Sequence, residues 1–296
     1  MGRASAAHFE ADARRWARKD TMKISGRGTE TFLYVNGLGV ARPIRLADDV
    51  ELLPAQCAPV PDDIISRANS EVDIGVLCIF LRQVQSQLRI TAPDAKALAT
   101  LAWNSIWDTV LLSAFHDCEA TVNLQCDRRA EEFSSEAELE ITNYHLRGLT
   151  DSPRTLDEKE AEWIEEHFEQ ARTLLDKRAF QNAVHSLATY RWHAHPRAGL
   201  ALLWSGIEGL FSIESELVYR LSLYTAKFLE PDDADQARQV FRDVKKLYKQ
   251  RSAAVHGAEL KDGTRKAVTD SVGLLQKLIR QCVITGDLPR GDELVL

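Results

Sequence analysis

Arg251, Ser252 and His256 are the residues of this sequence whose types and spacing could do chemistry on a phosphate. A guanidinium stays charged and can bind two phosphate oxygens at once, so Arg251 could hold a phosphate under attack. An imidazole exchanges protons near neutral pH, so His256 could act as general acid or base. Ser252 could orient the phosphate or a sugar hydroxyl. RNA carries its own nucleophile, the 2′-hydroxyl, so such a set could cleave it without a metal ion.

The stretch from Asp235 to Gly257 must position these residues, and its pattern predicts a helix. Apolar residues recur in it at steps of three and four: Ala237, Val240, Phe241, Val244, Leu247, Tyr248 and Val255. Arg251 falls near the middle of this apolar stripe and therefore needs an acid, a polar cleft or an anionic ligand. We expect Glu208, itself in a very apolar helix, to lie close to Arg251 or to Arg220. Such an ion pair would account for Arg251 without any catalysis.

The same stretch is locally basic in a protein whose net charge is −7. Between residues 235 and 256 there are two acids and six Lys or Arg residues, of which three are predicted to bind RNA phosphates: Lys245, Lys246 and Lys249. His256 comes directly before Gly257, a typical residue for ending a helix. The partial negative charge of a helix C-terminus favours the protonated imidazole and would make His256 a proton donor.

Composition narrows the classes of protein that the chain could belong to. With 45% hydrophobic and 27% charged residues among 296, it is typical of one large or two ordinary globular domains. The five cysteines include no CxxC pair, and there is no HExxH motif and no Gly-rich phosphate loop. No apolar run approaches the ~18 residues of a membrane helix. We therefore expect a cytoplasmic protein without a membrane segment, metal or cofactor.

The pattern of residues predicts an α+β N-terminal domain followed by an all-α antiparallel helical bundle. The predicted divisions are a basic flexible tail at 1–29, an α+β domain of unknown role at 30–150, an acidic connector helix at 151–178, a helical bundle at 179–286 and a C-terminal tail at 287–296. Five helices with short connections are expected in the bundle. Pro196 should begin the second of them.

Three expectations concern the α+β domain. Short β-prone runs broken by Asn36-Gly37 and Asp48-Asp49 predict a meander or a hairpin that opens a sheet from residue 30. Val72 to Ile90 predicts a buried strand followed by an alternating one. Ala92 to Phe115 predicts one helix, with Thr91 or Asp94 as its cap.

Three stretches in the second half resemble a HEPN domain, particularly the Apea-like branch of that family. They are LLWSGIEGLFS, ELVYRLSLYTAKFL and VKKLYKQRSAAVHG, and the resemblance covers about a third of the chain, from Phe180 to Ile284. It implies a helical bundle with an Arg, four to six residues, and a His as its motif, positions that Arg251 and His256 occupy. The residue after the motif Arg is commonly polar in the family, as is Ser252 here. Many members are metal-independent endoribonucleases.

The spacing within the motif sets a geometric condition on any active site. Five residues turn an ideal helix by about 140°, so Arg251 and His256 would not share one face. Either the last turn loosens, or the residues meet in a cleft that two subunits share. The resemblance favours the second arrangement, because HEPN clefts usually lie at a dimer interface, so a homodimer through the bundle is predicted.

The leading hypothesis is a HEPN endoribonuclease that acts in phage defence or a stress response, with the N-terminal domain as sensor or regulator. One alternative is a catalytically inactive HEPN-fold module that dimerises or binds RNA, in which Arg251 is structural. Another is a toxin component that an antitoxin partner keeps silent.

Overall fold

The β-prone runs after residue 29 form strands in a computed structural model of the protein, which describes residues 23–145, 152–211, 213, 217–255 and 263–290. The strands are β1 Glu30–Asn36, β2 Leu38–Gly39, β3 Ile44–Ala47, β4 Val50–Pro54, β5 Val84–Thr91, β6 Thr121–Cys126, β7 Leu139–Ile141 and β8 Arg154–Thr155. Six of them form an antiparallel sheet in the order β3-β4-β5-β1-β6-β7, while β2 and β8 form a short parallel pair. The hairpin alternative is confirmed, since β3 and β4 pair around Asp48-Asp49. A meander does not form, because β1 pairs with β5 and β6 and not with the strands that follow it directly.

The helices of the described residues follow the sequence prediction closely in the second half. They are α1 Pro61–Arg67, α2 Glu71–Phe80, α3 Ala95–Asn104, α4 Ile106–His116, α5 Glu158–Leu174, α6 Arg178–Thr189, α7 Pro196–Phe211, α8 Leu217–Leu229, α9 Ala234–Val255 and α10 Gly263–Thr285, with 3-10 turns at Leu81–Gln83, Ala130–Glu132 and Tyr190–Trp192. The five helices predicted for the second half are present as α6 to α10, and Pro196 begins α7. The coarse α+β description is therefore confirmed.

Two predictions for the first half are wrong in part. Glu71–Phe80 is a helix, not a buried strand, because the Ser70 side chain caps it by accepting a hydrogen bond from the Asp73 amide at 3.2 Å. Periodicity alone cannot tell a short apolar strand from a buried helix. The alternating strand that follows is confirmed as β5.

The predicted single helix from Ala92 to Phe115 is two helices. The Asp94 side chain accepts a hydrogen bond from the Ala97 amide at 2.9 Å, so Asp94 is the cap of α3. The chain then leaves the helical path at the buried Ser105, and α4 begins one residue later. Apolar residues keep their three- and four-residue steps across Ser105, as in Leu98, Ala102, Ile106 and Val110, so the pattern did not reveal the break.

The contacts of the chain divide it into two compact units. Unit 1 comprises Met1–Thr109 and Glu119–Glu165, and unit 2 comprises Val110–Cys118 and Glu166–Leu296. The second boundary falls inside α5, within the predicted acidic connector. The inclusion of Val110–Cys118 in the helical unit is not visible in the sequence pattern.

Unit 1 contains the sheet, and a glycine fixes the turn after its central strand. Gly37 has a φ of +84°, and a Cβ there would lie 2.1 Å from the carbonyl oxygen of Glu119. The segment before β1, within the predicted flexible tail, is fastened to the sheet: the Lys23 amide donates to the Thr142 carbonyl at 2.8 Å, and the Ser25 amide donates to Gln125 Oε1 at 2.9 Å. Residues 1–22 lie outside the described part of the chain.

Unit 2 is built around the apolar face of α7. Trp204 and Ile207 are fully buried, as are Leu275 and Ile279 of α10. At Gly206 a Cβ would approach the side chains of Ser186 and Leu275 to 3.0 and 3.1 Å, so this glycine lets α6 and α10 come close to α7. No helix in the described ranges is long and apolar enough to cross a membrane.

Candidate functional site

Arg251 and Glu208 meet between α9 and α7. Arg251 Nη2 lies 3.2 Å from Glu208 Oε1, and the two side chains are 22% and 24% exposed. The predicted proximity is confirmed, and of the two arginines proposed as partners it is Arg251 that forms this contact. Each helix has an otherwise apolar face here, so both charged groups are partly removed from water where the two helices meet.

The pair is held by charge and leaves hydrogen-bonding capacity unused. Within the described residues, Arg251 Nε and Glu208 Oε1 are buried and have no hydrogen-bond partner with good geometry. Burial raises the pKa of Glu208, and the nearby Arg251 opposes this only in part. Because Nε is buried, an incoming anion could reach only the exposed part of the guanidinium.

A series of aromatic contacts supports Arg251. Its guanidinium lies 5.5 Å from the centre of the Tyr248 ring, and Tyr248 meets Trp204 edge-on with ring centres 5.2 Å apart. Trp204 is fully buried and its Nε1 donates to Ser271 Oγ at 3.0 Å. This role of Trp204 was not predicted from the sequence, although the four-residue step from Trp204 to Glu208 could have indicated it.

The exposed cations of α9 lie on roughly the opposite side from Arg251. We call Arg238, Arg242, Lys245 and Lys249 the basic stripe: all four are exposed and fall within about 60° of arc on the helix. Lys246 lies next to the stripe, on the side of a groove of about 550 Å³ between α9 and α10. The structure therefore separates the predicted RNA-binding lysines from Arg251.

The lysines of this surface have no acidic partner within the described ranges. Lys245, Lys246 and Lys249 form no ion pair there, and the Lys245 ammonium lies 5.7 Å from the centre of the Phe241 ring. Arg238 is paired with Asp235 at 2.5 Å. A row of unpaired exposed cations is suited to an anionic strand.

The remaining predicted positions are distributed as follows. Ser252 is half-buried on α9, about 100° around the helix from Arg251 and beside the basic stripe. Val255, predicted for the apolar face, is 45% exposed. His256 lies outside the described residues. In the described ranges no group of His, Cys, Asp and Glu side chains is arranged to hold a metal ion.

No family model matches this chain, and comparisons with curated proteins and with solved structures also gave no match. The resemblance to HEPN domains therefore rests on the three sequence stretches that carry it. Those stretches lie largely in α7, α8 and α9, the helices that contain Glu208, Tyr219 and Arg251.

Replacing Glu208 with glutamine is expected to change how stability depends on pH. Because the folded-state pKa of Glu208 is raised, its favourable contribution is present below the ordinary glutamate pKa and is lost as pH rises through the raised value. Glutamine does not titrate, so Glu208→Gln should gain stability relative to wild type as pH rises through that window. Urea unfolding from pH 4 to pH 7 measures the difference. A difference that shrinks with rising pH would show that Arg251 outweighs burial.

Proposed function

We propose that this protein is a metal-independent endoribonuclease of HEPN type. The observation that carries the proposal is the state of Arg251: a partly buried guanidinium on the last turns of α9, held by one 3.2 Å contact to Glu208, with 22% of the side chain exposed. Such a group is held in place, and its exposed part can donate to a phosphate oxygen. It lies five residues before His256 in the sequence.

In the proposed reaction the 2′-oxygen of a ribose attacks the adjacent phosphorus, and the bond from phosphorus to the 5′-oxygen breaks. His256 acts as general acid or base in the two proton transfers. Arg251 donates to the non-bridging oxygens, whose negative charge grows in the transition state. Ser252 orients the phosphate or the 2′-hydroxyl. The products are a 2′,3′-cyclic phosphate and a 5′-hydroxyl, so atoms and charge balance without an added reactant.

The proposal includes a homodimer and a cytoplasmic role in phage defence or a stress response. The nominal 140° between Arg251 and His256 favours a cleft to which both subunits contribute. Lys245, Lys246 and Lys249 then hold the strand outside the cleft. Light scattering at micromolar concentration should give the mass of a dimer, and a strict monomer would contradict the shared cleft.

Cleavage in the presence of excess EDTA tests the absence of a metal requirement. A labelled RNA should be cut at the same rate with EDTA as with Mg²⁺, because attack by the 2′-oxygen needs only proton transfer and charge stabilisation. Mass spectrometry should find 2′,3′-cyclic phosphate ends. An RNA with 2′-deoxy substitutions is the matched control and should resist cleavage. Activity that EDTA abolishes and Mg²⁺ restores would contradict the proposal.

A second candidate is an RNA-binding or dimerising module without catalysis. The observation that favours it is the separation of the basic stripe from Arg251, since binding by the stripe does not need the ion pair. RNA binding by the full chain, with no cleavage at high protein concentration, would support this candidate. An antitoxin partner, if one silences the protein, would be recovered with it under native purification and would release cleavage when removed.

A further inference from the structure

Tyr219 is an aromatic side chain that the helical unit leaves open to solvent. It lies on the first turn of α8 and is 55% exposed. Its ring packs edge-on against Phe241 of α9, with ring centres 5.8 Å apart and an angle of 74° between the planes. One edge is therefore supported by a neighbouring helix, while more than half of the residue faces water. A large exposed ring held in this way can accept a flat partner.

A groove continues from Phe241 along the α8–α9 hairpin. It has a volume of about 500 Å³ and is lined mainly by apolar surface, including Leu223, Ala237 and Phe241. Arg238 and Arg242 of the basic stripe line the same groove. Apolar surface and cations thus line the same groove of the hairpin.

We propose that this face of the α8–α9 hairpin binds single-stranded nucleic acid, with one base stacked on Tyr219 and phosphates on the basic stripe. Bases supply flat apolar rings and the backbone supplies regularly spaced anions, which is the combination that this face presents. Arg238 and Lys249 are eleven residues apart, so the stripe is about 16 Å long and can contact a few phosphates. In the proposed function the strand is the RNA substrate. The inference depends on that function only for the identity of the strand that binds.

The charges near the turn between α8 and α9 determine toward which end of the hairpin the bound strand extends. Glu230 and Asp232 line the groove at the turn between α8 and α9 and offset the charges of Lys227 and Arg238 there, so this end attracts phosphates less strongly. Lys245 and Lys249, which have no ion pair within the described ranges, lie on the other side of Phe241. A strand with a base on Tyr219 therefore runs toward the C-terminal turns of α9, where Ser252 and Arg251 are.

Fluorescence anisotropy with a labelled 12-nucleotide polyuridine RNA tests this site. The full chain is used with His256→Ala as background, so that the strand is not cut. Tyr219→Ala should weaken binding about 10-fold, since stacking on one aromatic ring is worth roughly that factor, whereas Tyr219→Phe should retain affinity. Replacing Lys245 and Lys249 together with glutamine should reduce the dependence of affinity on salt concentration by about 1.4 in the log–log slope.

Matched controls separate this site from general effects. Trp103→Ala, which removes another half-exposed aromatic (51%) on α3, should leave RNA affinity unchanged. A DNA strand of the matching sequence should show the same loss with Tyr219→Ala, because ring faces and phosphates are common to both. Equal losses for Tyr219→Ala and Trp103→Ala would overturn the proposal. So would a loss of the dimer with unchanged RNA affinity, which would make the face an interface between copies. Cleavage is measured separately with His256 present, so RNA that binds here and is not cut contradicts only the nuclease proposal.

Discussion

Replacing His256 with alanine is expected to reduce the rate of RNA cleavage by at least about 100-fold. The proposed reaction moves one proton from the 2′-oxygen and one to the leaving 5′-oxygen, and no other titratable residue of the motif can do this near neutral pH. RNA affinity should stay within about 2-fold, because binding depends on cations and on Tyr219. Single-turnover cleavage at saturating protein, followed on a denaturing gel, measures the rate.

His195→Ala is the matched control, since His195 is an exposed histidine before α7 and should leave the rate unchanged. Arg251→Lys should also slow cleavage, because an ammonium cannot bind two phosphate oxygens in the fixed geometry of a guanidinium. Equal rates for wild type, His256→Ala and His195→Ala, on an RNA that all three bind, would contradict the nuclease proposal. The outcome for Arg251→Lys would then report only on the ion pair with Glu208.

Replacing Trp204 with alanine is expected to lower the free energy of unfolding by about 3–5 kcal/mol. The side chain is fully buried in α7, and its removal leaves a cavity beneath Tyr248 and deprives Ser271 of the hydrogen bond from Nε1. Because the guanidinium of Arg251 lies over the Tyr248 ring, the loss of the Trp204 side chain should also loosen the candidate site. Urea unfolding followed by circular dichroism measures the stability.

Two variants divide this effect into its parts. Ser271→Ala removes the hydrogen bond and keeps the ring, so it should cost about 1–3 kcal/mol, because the buried indole N–H loses its acceptor. Trp103→Ala removes a tryptophan that is already 51% exposed, so it should cost clearly less than Trp204→Ala. A cost for Trp204→Ala no larger than that of Trp103→Ala would show that the packing around Arg251 does not depend on this ring.

The local structure of the second half could be predicted from sequence because its helices are long and strongly periodic. α7, α9 and α10 run for 16, 22 and 23 residues, which gives several turns over which an apolar face repeats. The ten-residue segment Glu71–Phe80 is apolar almost throughout and has no such periodic contrast. Its assignment was decided by the cap at Ser70 and by burial of Val76, Leu77 and Phe80 in the core of unit 1.

What the sequence determined by itself concerns single helices. It placed Arg251 among apolar residues, put Glu208 on an apolar helix and gathered the cations of α9 on one side, since 100° per residue fixes angles within a helix. Only the tertiary structure decided which side chains meet. Glu208 contacts Arg251, Tyr248 lies between Arg251 and Trp204, and Tyr219 is held against Phe241. Apart from Tyr248 and Arg251, which are three residues apart on α9, these contacts join residues from different helices. Their formation depends on how whole apolar faces pack together, which no local spacing encodes.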